Sequence, residues 1–124
     1  MESHVTDHTD VGTIESWHSH VYFDAASRDA AWALREAILK RFDCAMEMGR
    51  FHERPVGPHP RWSYQVAFKP ERFTEIVSWL ALNRGDLVVF THPNTGDALT
   101  DHRDRAMWMG DYIALNLDAL RGGS

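Results

Sequence analysis

A chain of 124 residues in which 44% are apolar, with five Trp and six Phe, is long enough for one domain with a packed core. Its formal charge of -5, with Arg and Lys scattered among the acids and no basic stripe, excludes the electrostatic footprint of a nucleic-acid binder and leaves a small polar or anionic organic ligand as a fitting partner. A single cysteine, Cys44, excludes an internal disulfide framework and every Cys-based zinc pattern, so His and carboxylate are the available metal ligands.

Residues 1–14 carry no periodicity and read as a flexible tail in which His4 and His8 are solvated; 121–124, ending Gly122-Gly123-Ser124, read as a second tail. Between them, 15–120 reads as a single domain. No apolar run approaches the roughly 18–20 residues of a membrane span, and the polar N-terminal segment lacks the apolar region of a signal peptide, so a cytoplasmic location is expected.

From Glu15 to Phe23 the chain alternates. Trp17, Ser19, Val21 and Phe23 fall on one side of a predicted strand, and His18, His20 and Tyr22 on the other. Ser27 offers an N-cap, and Ala30, Leu34, Ala37 and Ile38 recur at helical spacing to about Phe42. Cys44 is expected to pack as a small apolar residue. A strand is predicted from Ala45 to His52, then an ordered loop over Glu53 to Arg61, where Pro55, Gly57, Pro58 and Pro60 forbid helix. Trp62 to Phe68 alternates again. Pro70 suits the first turn of a helix with the stripe Phe73, Ile76, Val77 and Leu80, and Gly85 suits its end. Leu87 to Thr91 reads as a buried strand ending at His92. Thr100 to Met109 reads as a short helix opened by Thr100, with Asp101 to Arg105 as a solvated face; no element is predicted beyond it.

The order strand, helix, strand, strand, helix, strand predicts an α+β, ferredoxin-like βαββαβ antiparallel sheet with two helices on one face. The second face then needs a cover, and a homodimer through it is the expectation.

Histidines collect at the ends of predicted strands and in turns with Pro and Gly: His18, His20, His59, His92 and His102. With the first strand central, His18, His20 and Tyr22 project from the open face, and His59 and the strand-end His92 can converge on them. Three imidazoles around one metal with exchangeable positions left over make a catalytic rather than a structural site. Taken singly, each has a plainer reading: a half-exposed strand residue for His18, a surface one for His52, a polar residue of a first helical turn for His102. No His-Glu-x-x-His element, Gly-x-Ser-x-Gly elbow or phosphate-cradling glycine loop is present. Trp32, Trp79 and Trp108 read as packing residues.

The strings His18-Ser19-His20-Val21-Tyr22-Phe23, Gly57-Pro58-His59-Pro60, Asn83-Arg84-Gly85, His92-Pro93-Asn94-Thr95-Gly96 and Asp101-His102, with Trp108-Met109-Gly110 after them, resemble in order and spacing the DOPA 4,5-dioxygenase family over about Ser16 to Leu120. The resemblance implies extradiol cleavage of a catechol, DOPA-like or another 3,4-dihydroxyphenyl compound, by dioxygen with non-haem Fe(II), a metal that zinc or nickel can replace during purification. It implies His20, His59 and His92 as metal ligands, and His18 and His102 as acid and base. Tyr22 or Gln65 would orient the ring; Arg61, or else Arg50 or Arg54, would pair with a substrate carboxylate. Because non-haem iron sites often use two His and one carboxylate, Glu15, Glu47, Glu53 and Asp101 stay open as a replacement for one imidazole.

Two further readings share these residues. One is a non-catalytic, dimeric ferredoxin-like module that binds a small aromatic ligand or a divalent metal. The other is a zinc-dependent hydrolase or lyase, since zinc activates water but carries no electrons to dioxygen.

Overall fold

The computed structural model describes residues 8–122; 1–7, with His4, and 123–124 of the two expected tails lie outside the described residues. Within the rest of the N-terminal segment, Val11–Thr13 forms one turn of 3-10 helix, capped by the Asp10 carboxylate accepting from the Gly12 N–H.

The alternating segment forms strand β1 (Ser16–Phe23), which buries Val21 and Phe23 on one face and His20 and Tyr22 on the other. Helix α1 (Arg28–Phe42) buries Ala31, Leu34, Ile38 and Phe42, the three- and four-residue spacing that keeps one stripe inward. Ser27 stands at its N-cap position, but its Oγ donates to Asp24 and does not cap the helix. Strands β2 (Glu47–Met48), β3 (Trp62–Phe68) and β4 (Val88–Asn94) follow, with α2 (Phe73–Asn83) between the last two. Pro70 opens a 3-10 turn that runs into α2, and Gly85 at φ 61° ends it. The predicted stripe is right: Ile76 and Leu80 are buried and Phe73 and Val77 pack against them.

The sheet, completed by β5 (Met107–Met109), is antiparallel in the order β2-β3-β1-β4-β5, so the first strand is central and the fourth lies beside it, as expected. Both long helices join one core cluster with Val21, Tyr64, Val66, Phe68 and Val89 on the same face. Among the described residues no helix is long and apolar enough to cross a membrane.

Further sequence expectations need correction. The second strand is not continuous from Ala45 to His52: the ladder covers Glu47 and Met48, and after an interruption His52 pairs again with Ser63. Strand β4 does not end at His92 but runs on through Pro93 to Asn94. Pro93 is tolerated because the outer neighbour, β5 (Met107–Met109), pairs only with Val89 to Thr91, so no donor is needed there. The predicted helix from Thr100 to Met109 is two elements: α3 (Ala98–Arg103), capped by Asp97 accepting from the Thr100 N–H, and β5, which covers the edge of β4. Finally, Cys44 is exposed and not packed.

The second sheet face is covered in part by the chain itself. The Val56-Gly57-Pro58-His59 turn, with Gly57 at φ 54°, lowers His59 onto it, and α3 brings His102. The last helix, α4 (Asp118–Gly122), packs beside α3, and the Asn116 N–H donates to the Pro58 carbonyl, tying the C-terminal segment to that turn.

Candidate active site

Register places the imidazoles. His18 stands opposite His92, and His20 opposite Phe90 on one side and Gln65 on the other. Opposed side chains on one face approach within about 5 Å, so two adjacent strands alone bring His18, His20 and His92 together. One nitrogen from each of these three lies within 4.8 Å of the other two, and His20 Nε2 is 3.0 Å from His92 Nε2. No carboxylate belongs to the group. Glu53 is paired with Arg28, and Asp101 is held elsewhere by Thr95 and Arg105.

Two more imidazoles border this trio. The His102 ring centroid is 3.9 Å from that of His92, and the His59 centroid 4.2 Å from that of His20. Their hydrogen bonds set them apart from each other. His102 Nδ1 donates to the Ala98 carbonyl at 2.7 Å, as His92 Nδ1 does to the Pro93 carbonyl at 2.9 Å, so each ring keeps a lone pair on Nε2. His59 Nδ1 instead faces the Tyr22 hydroxyl at 2.6 Å. Burial raises the Tyr22 pKa and keeps the phenol protonated. With the phenol donating to Nδ1, the neutral His59 ring carries its proton on Nε2, which is then a donor.

All five rings are held neutral near pH 7. Burial is the largest cause in each case: it pulls His59 down to about 4 and His92 to about 3, with the charge of His102 adding to both. His20 is pushed well below its ordinary value by burial and then by His59 and His92. His18 is lowered by burial and His102; His102 is lowered by burial against the opposing pull of its Ala98 bond and of Asp101. Neutral imidazole is the metal-binding form, so the donor set fits a divalent ion that prefers nitrogen, such as Fe(II) or Zn(II).

Beside His20 and His59 lies a cavity of about 160 Å³ lined also by Gly49, Arg50, His52, Val56, Ser63 and Gln65. Half-exposed His18 borders a second, larger groove of about 670 Å³ that runs past Cys44, Glu47, Lys69 and Arg72. Gln65 is therefore where the sequence reading puts it, on the open face beside His20. Arg61 is not: it is exposed, lines neither space, and has Asp24 for its acidic neighbour. Arg50 lines the smaller cavity in its stead.

The sequence reading misses the site's floor. Phe90, fully buried, stacks on Trp108 at 4.5 Å and lies 5.5 Å from the His20 ring. The two-residue spacing of Phe90 and His92 carries that signal, hidden in what reads as a continuous apolar run.

The chain is a five-stranded antiparallel α+β domain whose open face carries a cluster of neutral imidazoles that could hold a metal ion. The chain belongs to the Dopa 4,5-dioxygenase family, whose model matches residues 17–119. It is 40% identical over 111 residues to a DOPA 4,5-dioxygenase of Amanita muscaria, covering 84% of this chain but 49% of that protein. The chain thus spans about half the length of that relative. An uncharacterized 21.2 kDa protein of Botryotinia fuckeliana is 34% identical over 94% of this chain and 69% of its own. A crystal structure from Nostoc punctiforme, described as that of a candidate dioxygenase, superposes with a TM-score of 0.90 at 47% identity, covering 94% of this chain and all of the other.

Proposed function

We propose that this chain is a cytoplasmic, non-haem iron-dependent dioxygenase that opens a catechol ring by extradiol cleavage. The observation that carries the reading is the convergence of His18, His20 and His92 within 4.8 Å, in a member of the Dopa 4,5-dioxygenase family. Ferrous iron, when bound, would supply the electron transfer between an electron-rich catecholate and dioxygen that no side chain provides.

We assign the metal to His18, His20 and His92. This exchanges His18 and His59 relative to the roles implied by family resemblance, because His59 is engaged at Nδ1 by Tyr22 whereas His18 shares the ligand cluster. The remaining residues then divide the proton work. His102, with its lone pair at Nε2, accepts a catechol hydroxyl proton; His59, with its proton at Nε2, donates as the ring opens. Tyr22 orients His59 rather than touching the ring, and Gln65 flanks the substrate with its amide. The product keeps both oxygen atoms of dioxygen, and the ring supplies the electrons.

The test is oxygen uptake with visible absorbance after anaerobic loading with Fe(II), across a panel of catechols. Oxygen consumed in step with a new yellow product is expected. A catechol spectrum that shifts without oxygen uptake would favour a non-catalytic binding module, and activity with zinc in the absence of oxygen a hydrolase or lyase. Homodimerisation through the part of the sheet face left free by His59 and α3 belongs to the same reading, and light scattering reads it.

A further inference from the structure

Arg50 is the one formal charge lining the cavity beside His20 and His59: no Asp or Glu lines it. Among the described residues Arg50 has no ion-pair or hydrogen-bond partner, in a chain where acids outnumber bases and Arg28, Arg72, Arg103 and Arg105 are each paired. Its backbone is pinned on both sides. The Gly49 N–H donates to the Gln65 carbonyl at 2.7 Å, Arg35 Nη2 donates to the Gly49 carbonyl at 2.9 Å, and the His52 N–H donates to the Ser63 carbonyl at 3.0 Å. The close approach at Gly49, where a Cβ would meet Gln65 at 3.3 Å, seats this segment against β3. Arg50 itself is exposed, and a guanidinium at the rim of this cavity, on a pinned backbone and with no carboxylate to neutralise it, is a receptor for an anion. The larger groove differs, because there Glu47 and Glu71 stand among Lys69 and Arg72, and Arg72 is bound to Glu75.

We propose that Arg50 anchors an anionic tail on the substrate ring, so that the preferred substrate is a catechol bearing a carboxylate and no amine. The inference rests on the catechol reading above and narrows it. An ammonium group would find no acid in the cavity, so zwitterionic DOPA and cationic dopamine should bind less well than 3,4-dihydroxyphenylpropionate.

The experiment measures Kd by tryptophan fluorescence on the iron-loaded protein under argon, and KM by oxygen uptake, for 3,4-dihydroxyphenylpropionate, 4-propylcatechol, DOPA and dopamine. The wild type should bind the carboxylate most tightly. Arg50→Met should weaken the carboxylate about 2- to 5-fold, the loss expected for a solvent-exposed ion pair, while leaving 4-propylcatechol unchanged. Arg50→Lys should recover part of the loss. The proposal fails if Arg50→Met weakens both ligands equally or neither, if the wild type shows no preference for the carboxylate or binds no catechol, or if Lys69→Met instead shows the carboxylate-specific loss. Selective binding that vanishes in Arg50→Met, without oxygen uptake by the wild type, would keep the anchor and overturn the dioxygenase reading alone.

Discussion

The bond from His92 Nδ1 to the carbonyl of the next residue, Pro93, fixes which nitrogen faces the site, and a buried ring so held has little tolerance for a second proton. His59 and His92 keep pKa values of about 4 and about 3, against 6.5 in an unfolded chain. Between pH 6.5 and those values the unfolded state binds protons that the folded state refuses. Their neutral burial is therefore compatible with full stability above pH 6.5, and stability is lost as pH falls toward the folded values. For the metal-free protein the loss should be about 1.4 kcal/mol per pH unit for each of the two rings. Urea midpoints measured from pH 7 down to pH 4.5 should fall steeply; a flat profile would mean that the rings accept protons in place. At this scale the sequence was informative where chemistry follows alternation. His18, His20 and Tyr22 share a face because side chains alternate along a strand, and that much needs no structure. The partners across the sheet need register, which the sequence does not display, and so the closeness of His18 to His20 and His92 was not legible.

Element α3 shows how a charged stretch is misread. Asp101 was expected on a solvated face, yet it is 1% exposed: its carboxylate accepts from the Thr95 N–H and hydroxyl and from Arg105 Nη1. The clasp closes the turn after β4 and sets the position of the helix that carries His102. Nothing in Asp101-His102-Arg103-Asp104-Arg105 distinguishes the acid that turns inward, because charge alone does not reveal which residues the preceding loop will cover. Asp101→Ala would leave a buried donor unmatched, and should cost about 2–4 kcal/mol in urea unfolding together with most of the turnover. Asp101→Asn, which keeps an acceptor oxygen, should recover part of both. Wild-type stability in Asp101→Ala would show that the clasp holds nothing. The β5 error has a different origin: Met107-Trp108-Met109 is too short for its period to separate strand from helix, and the exposed edge of β4 decides the matter.

At the scale of the molecule, βαββαβ connectivity was legible because each element has its own period and its own stop signals, and the central place of β1 followed from it. What the sequence could not convey is that α3 folds back against β4 and, with the His59 turn, borders the imidazoles that β1 and β4 present. The same fold-back leaves less of that face for a partner subunit than a bare four-stranded sheet would. The two long helices and their core serve to hold β1 and β4 in register, and register is what gathers His18, His20 and His92. Iron stoichiometry after anaerobic Fe(II) loading tests this most directly, across His18→Ala, His20→Ala, His92→Ala, His59→Ala and His102→Ala, each checked for native circular dichroism. The first three should lose iron, whereas His59→Ala and His102→Ala should keep it and lose turnover. Full iron in His18→Ala with loss in His59→Ala would return His59 to the ligand set, and full iron in all five would remove the metal from this face.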